Sequence, residues 1–195
     1  MAQSGGTTMS NRLVVGAMIG AASLCLGSVA PAGARPPPPA RVAASHFVHP
    51  RGFEVFGYYI PSSPTRVGPY QLDHLSMGSP AEFAAWERGQ RSATYAPVML
   101  VFSDVRSPMA TNELGQEHHT VEIRVLPDSY KVIPGQIEFR GRDRRVGLVI
   151  LSGGIDARAL ARAKRQNMPE TVVRGGLAAG GERTRNISFT YFAGD

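Results

Sequence analysis

The sequence predicts a mainly β fold, either an antiparallel β-sandwich or a partly closed barrel, with two short helices. Three observations carry that expectation. From Gly52 onward the apolar residues recur mostly at every second position, the period of a half-buried strand. Glycine and proline punctuate the chain at the spacing of hairpins. Only two stretches carry both start and stop signals for a helix.

Residues 53–60 are rich in aromatic and β-branched side chains, end at Pro61, and read as the first strand. Residues 61–68 hold two prolines and read as a turn. Tyr70, Leu72 and His74 alternate with Gln71 and Asp73 in a second strand. Ser79-Pro80-Ala81-Glu82 spells a capping box with proline at the first helical position, and Gly89 supplies a stop. Phe83 and Trp86, three apart, share the face that packs on the sheet, whereas Glu87 and Arg88 point away. The unbroken apolar run from Val98 to Phe102 predicts a central strand covered on both faces.

Residues 105–119 are polar and read as a long connection. Val121, Ile123 and Val125 alternate with Glu122 and Arg124 in a half-exposed strand. Residues 130–133 form the next strand, and Pro134-Gly135 suits a tight turn. Ile137 and Phe139 open another strand, 141–145 reads as a charged turn, and 146–151 returns as an apolar strand. Asp156 caps a short helix over 157–166 that Asn167 and Pro169 end. Residues 171–178 and 186–192 close the domain as a hairpin, with Ile187, Phe189 and Tyr191 on one face and glycines 175, 176, 180 and 181 at its bends. The sum is about eight or nine strands.

Residues 1–34 are expected to be a signal peptide. Arg12 is their only charge, an apolar run follows over 13–30, and Ala32-Gly33-Ala34 offers a cleavage site. Met9 is a compact alternative start. Residues 35–51, with Pro36 to Pro39 in a row, read as a Pro-rich linker, and 52–195 as a single β-rich domain. The expected location is periplasmic or extracellular, or membrane-anchored if the apolar run is retained. Cys25, the only cysteine, lies inside that run, so its removal leaves no disulfide, thiolate ligand or cysteine nucleophile. The formal net charge of +6 favours anionic surfaces as partners. Lys131 and Lys164 are the only lysines, and the remaining basic residues are arginines.

Chemistry-bearing clusters are sparse. His46 and His49, and the run Glu117-His118-His119, contain metal-ligand residue types, but neither completes a site, so no metal and no cofactor is expected. Asp73 and His74 could belong to a hydrolytic triad with Ser103 or Ser152, yet no G-x-S-x-G elbow supports it. The glycine pairs match no phosphate-binding loop. Tyr58, Tyr59 and Tyr70 could stack on a sugar or other ligand, although packing in the core is the simpler role. Asn186-Ile187-Ser188 is a formal glycosylation sequon.

Arg140, Arg142, Arg144 and Arg145 make the densest basic patch, offset only by Asp143 and placed at a hairpin tip. They are the ligand-binding candidates. No catalytic residue is assigned. The functional expectation is an exported, non-catalytic binding or interaction module whose partner is an anionic surface or a small ligand, with no nucleic acid expected. The alternatives are a carrier with a barrel cavity and a hydrolase whose site assembles from distant residues.

Overall fold

The computed structural model describes residues 46–193. The expected signal segment, Cys25 and most of the proline-rich stretch lie outside the described residues. The fold is mainly β: one large sheet curls into a half-barrel, and a small second sheet stands beside it.

The strands are β1 (Phe47–Val48), β2 (Gly57–Pro61), β3 (Thr65–Val67), β4 (Tyr70–Met77), β5 (Val98–Asp104), β6 (Met109–Thr111), β7 (Glu117–His119), β8 (Glu122–Val125), β9 (Pro127–Ile133), β10 (Gln136–Asp143), β11 (Gly147–Ile155), β12 (Thr171–Ala179) and β13 (Glu182–Phe192). Helix α1 (Pro80–Glu87) joins β4 to β5, and α2 (Ala157–Gln166) joins β11 to β12. The large sheet runs β1-β9-β10-β11-β12-β13-β2-β4-β5-β8, with β3 added to β4; β6 and β7 form the small sheet. Every pairing is antiparallel except β1 with β9.

The curl follows from one junction. β8 and β9 are consecutive in the chain with only Leu126 between them, yet β8 ends the sheet on one side while β9 lies next to the other end. The backbone therefore crosses the gap that hydrogen bonds leave open. Gly141 makes room for the crossing: a Cβ there would sit 2.3 Å from the Leu126 carbonyl oxygen. The β9–β10 register shifts at the same place, between Arg140 and Gly141.

Inward side chains fill the curl. Tyr59, Leu75, Leu100, Phe102, Ile123, Ile137, Phe139, Leu151 and Phe189 are all buried. Helix α1 covers a further part of the core through Phe83 and Trp86. Phe83 meets Tyr130 of β9 edge-on at 5.4 Å, and Trp86 meets Phe47 of β1 at 6.3 Å. A helix between β4 and β5 thus packs on the strands at the far side of the sheet order. The Arg91 guanidinium lies over Phe47 and Trp86, 4.2 and 4.4 Å from their centroids.

Both helix readings hold. Ser79 is the N-cap of α1, its amide donates to Glu82 Oε2 at 2.6 Å, and the capping box is complete. Asp156 caps α2 and accepts from the amides of Arg158 and Ala159, while Asn167 ends it in the left-handed conformation. The closing hairpin buries Ile187, Phe189 and Tyr191 as expected.

Several expectations need correction. Strand pairing reaches back before Gly52, because Phe47 and Val48 pair with Tyr130 and Lys131. The 61–68 turn contains β3, which folds back on β4. Residues 105–119 are a connection that carries the β6–β7 hairpin, and the first predicted strand begins only at Gly57. Glu87 does not point away: the Tyr130 hydroxyl donates to it at 3.2 Å. Gly175 lies inside β12, where a Cβ would stand 2.3 Å from the Ser152 carbonyl oxygen, so close strand approach explains it rather than a bend.

Candidate functional site

The four candidate arginines sit where the hairpin reading put them, with one change. The charged turn is shorter than 141–145, because β10 continues through Asp143. Arg140 and Arg142 are therefore strand residues two apart, on the exposed face, and Arg144 and Arg145 occupy the turn before β11. Asp143 holds that turn together: its carboxylate accepts from the amide of Arg145 at 2.7 Å and lies 3.7 Å from the Arg145 side chain.

Sheet register extends the patch well beyond the hairpin. Ser129, Arg140, Ile150, Ala178 and Arg183 are successive lateral partners across β9, β10, β11, β12 and β13. Lateral partners point to the same side of a sheet. The neighbouring rows on that side bring Lys131, Glu138 and Ser152 together, then Gly154, Arg174 and Ser188. The outer face of five strands thus presents Lys131, Arg140, Arg142, Arg174 and Arg183, with Arg185 beside them on β13 and Glu138 as the acidic member. Arg140 and Arg183 stand three strands apart, about 14 Å at the usual strand spacing.

The cations are unspent. Among the described residues the ion pairs join Arg106 to Asp104, Arg124 to Glu122, Arg145 to Asp143, Arg162 to Glu170 and Lys164 to Glu54. None involves Lys131, Arg140, Arg142, Arg144, Arg174, Arg183 or Arg185. Two open grooves cut this face. One, of about 460 Å³, is lined by Val48, Lys131, Arg140, Ile150 and Ser152 among others. The second, of about 470 Å³, lies between Arg174 and Arg185 with Asn186 and Ser188. Guanidinium groups standing in register with the part-buried Ile150 and Ala178 can bind oxyanions through paired N–H donors.

A second polar cluster lies on the outer face of the other half of the sheet. The β4–β5 register slips between Leu72 and His74, so Asp73 is an extra residue, a β-bulge. In a regular strand Asp73 and His74 would face opposite ways. The bulge turns Asp73 toward Ser103, whose hydroxyl donates to Asp73 Oδ2. His74 lines an adjacent groove and meets the Tyr58 ring edge-on at 5.1 Å. Burial raises the Asp73 carboxyl above its ordinary range, partly offset by the Ser103 bond, and burial lowers the His74 imidazole.

This arrangement joins only part of the imagined triad. Ser103 meets the acid, but its proton goes to Asp73 and not to the imidazole. Ser152 stands exposed on β11, outside the β4–β5 pair. The histidine clusters also remain apart: His46 lines the first groove, His49 stacks on Phe83 at 3.8 Å, and His118 and His119 lie on the β6–β7 hairpin. Among the described residues no three His, Cys, Asp or Glu side chains are placed to hold a metal ion. Of the three tyrosines, Tyr59 is buried and donates to the Val55 carbonyl, Tyr70 is half-buried, and only Tyr58 is exposed.

No known protein family, no curated protein and no solved structure matches the chain. The site therefore stands on its own geometry. Sequence reasoning missed Lys131, Arg174, Arg183 and Arg185 as members of the basic face. Lys131 and Arg174 alternate with apolar neighbours in the sequence, but Arg183 and Arg185 lie in a polar stretch, and the strand register that aligns these residues with Arg140 was not visible.

Proposed function

We propose that this chain is an exported, non-catalytic binding domain whose basic outer face docks on an anionic surface rich in phosphate or carboxylate groups. One observation carries the reading: unpaired cations from β9, β10, β12 and β13 converge on one side of the sheet, around grooves open to solvent. The residue chemistry favours this over the alternatives. A carrier needs an interior cavity, and the interior of the curl is occupied by large apolar side chains. A serine hydrolase needs the imidazole on the serine, and Ser103 donates to a carboxylate instead. Export rests on the composition of residues 1–34. No helix among the described residues is long and apolar enough to cross a membrane.

The test is retention of the protein on phosphatidylglycerol vesicles and on immobilised polyphosphate at low salt. The variant Arg140→Gln/Arg142→Gln/Arg183→Gln should lose most of its retention on at least one of them. Since all three side chains are exposed, its melting temperature should stay close to that of the parent. Equal retention of parent and variant on both supports would refute the reading.

A further inference from the structure

Beyond β13 in sheet order, over β2, β4 and β5, the outer face carries a different chemistry. Eight large hydrophobic side chains are exposed among the described residues, and four of them, Phe56, Tyr58, Ile60 and Phe192, fall on β2, its lead-in and β13. Register makes Tyr58 and Phe192 neighbours, and Ile60 stands two residues along β2 from Tyr58, on the same exposed side. Isolated exposed apolar residues need no explanation, but a contiguous group marks a contact surface.

Tyr58 also forms one wall of a groove of about 260 Å³. Met99 and Val101 of β5 make its floor and are almost fully covered. Tyr95 stands on another side, its hydroxyl committed to Glu82 at 2.7 Å. The remaining walls are polar. The Tyr58 hydroxyl, the His74 ring and the Ser76 hydroxyl make no hydrogen bond to other described residues. Glu122 and Arg124 neutralise each other across 2.6 Å at the rim.

We infer that this groove is a binding site for one ring of a neutral sugar. Its chemistry selects that class. The volume lies below the roughly 300 Å³ at which drug-sized ligands begin, so a single ring fits. The C–H face of a pyranose packs on an aromatic ring, and exposed Tyr58 offers such a ring, with Phe192 as its partner on the next strand. Hydroxyl groups both donate and accept, as do the unspent Tyr58, His74 and Ser76 groups. The site carries no net charge, because the Glu122–Arg124 pair cancels and burial keeps the imidazole neutral. An anionic ligand would find no free cation here, in contrast to the basic face. The inference is independent of that face, which Tyr58 does not join.

Calorimetric titration of the full chain with triacetylchitotriose and with cellotriose tests it. Saturable binding of at least one sugar is expected. Tyr58→Ala should weaken it about tenfold or more, with an unchanged melting temperature because Tyr58 is exposed. Tyr58→Phe, which keeps the ring, should stay within a few-fold of the parent. Retention on polyphosphate should be the same in all three proteins. No binding of either sugar at millimolar concentration overturns the inference. So does binding that Tyr58→Ala leaves intact. A change of oligomeric state in Tyr58→Ala would also overturn it, by making the patch a protein interface.

Discussion

Two part-buried histidines should make the fold sensitive to acid. His49 stacks on Phe83 at 3.8 Å, and its Nε2 is buried without a hydrogen-bond partner. Burial lowers its pKa below the ordinary 6.5, against the raising effects of the Phe53 backbone and Glu54. Burial lowers His74 in the same way, with Glu122 and Asp73 opposing and Arg124 reinforcing. Below pH 6.5 the unfolded chain takes up protons that the folded chain refuses. The stability these groups contribute is thus fully present above pH 6.5 and is lost as pH falls toward their folded values. Asp73 and Glu87 work the other way at lower pH, since burial raises both carboxyls and favours folding while they stay protonated. His49→Phe keeps an aromatic ring on Phe83 and removes one proton site. Its melting temperature should fall less steeply than the parent's between neutral pH and pH 5.5; parallel curves would show that His49 is not a source of the acid sensitivity.

At the scale of elements, local signals predicted what local geometry determines. The α1 capping box was visible as Ser79 and Glu82, and it closes as written, with the Tyr95 hydroxyl adding a bond that no local pattern reveals. Ser79→Ala should therefore cost about 1 kcal/mol in denaturant titration, the usual worth of an N-cap. Register-dependent features were hidden. Nothing in Leu72-Asp73-His74 announces a bulge, because the slip is set by the inward packing of Leu72 and Leu75 against β5 rather than by turn residues. Gly141 reads in sequence as part of a charged turn, yet its role is to let the Leu126 carbonyl pass. Gly141→Ala forces that carbonyl or the Phe139 ring to move, and overpacking of this kind costs about 1–3 kcal/mol. A variant as stable as the parent would show that the β8–β9 junction has slack.

At the scale of the whole molecule the two outer faces should respond differently to salt, and that difference separates their roles. The composition already announced a net charge of +6, and the densest arginines were visible in the chain; their lateral alignment with Arg174 and Arg183 emerges only when β10 to β13 are placed side by side. Unpaired exposed cations interact with a polyanion through fields that salt screens over about 10 Å at 0.1 M. Raising the salt from about 0.05 to 0.5 M shortens that range severalfold, so retention on polyphosphate should fall steeply. The triple variant Arg140→Gln/Arg142→Gln/Arg183→Gln should show both weaker retention and a shallower dependence, because fewer charges remain to be screened. The groove at Tyr58 works through ring contact and hydrogen bonds within a site whose charges cancel. Its sugar affinity should stay nearly constant over the same salt range. Measuring both ligands in one salt series makes each an internal control for the other: a polyanion response that is flat with salt would deny the basic face its electrostatic role, and a sugar affinity that falls in parallel with polyanion retention would place both ligands on one site.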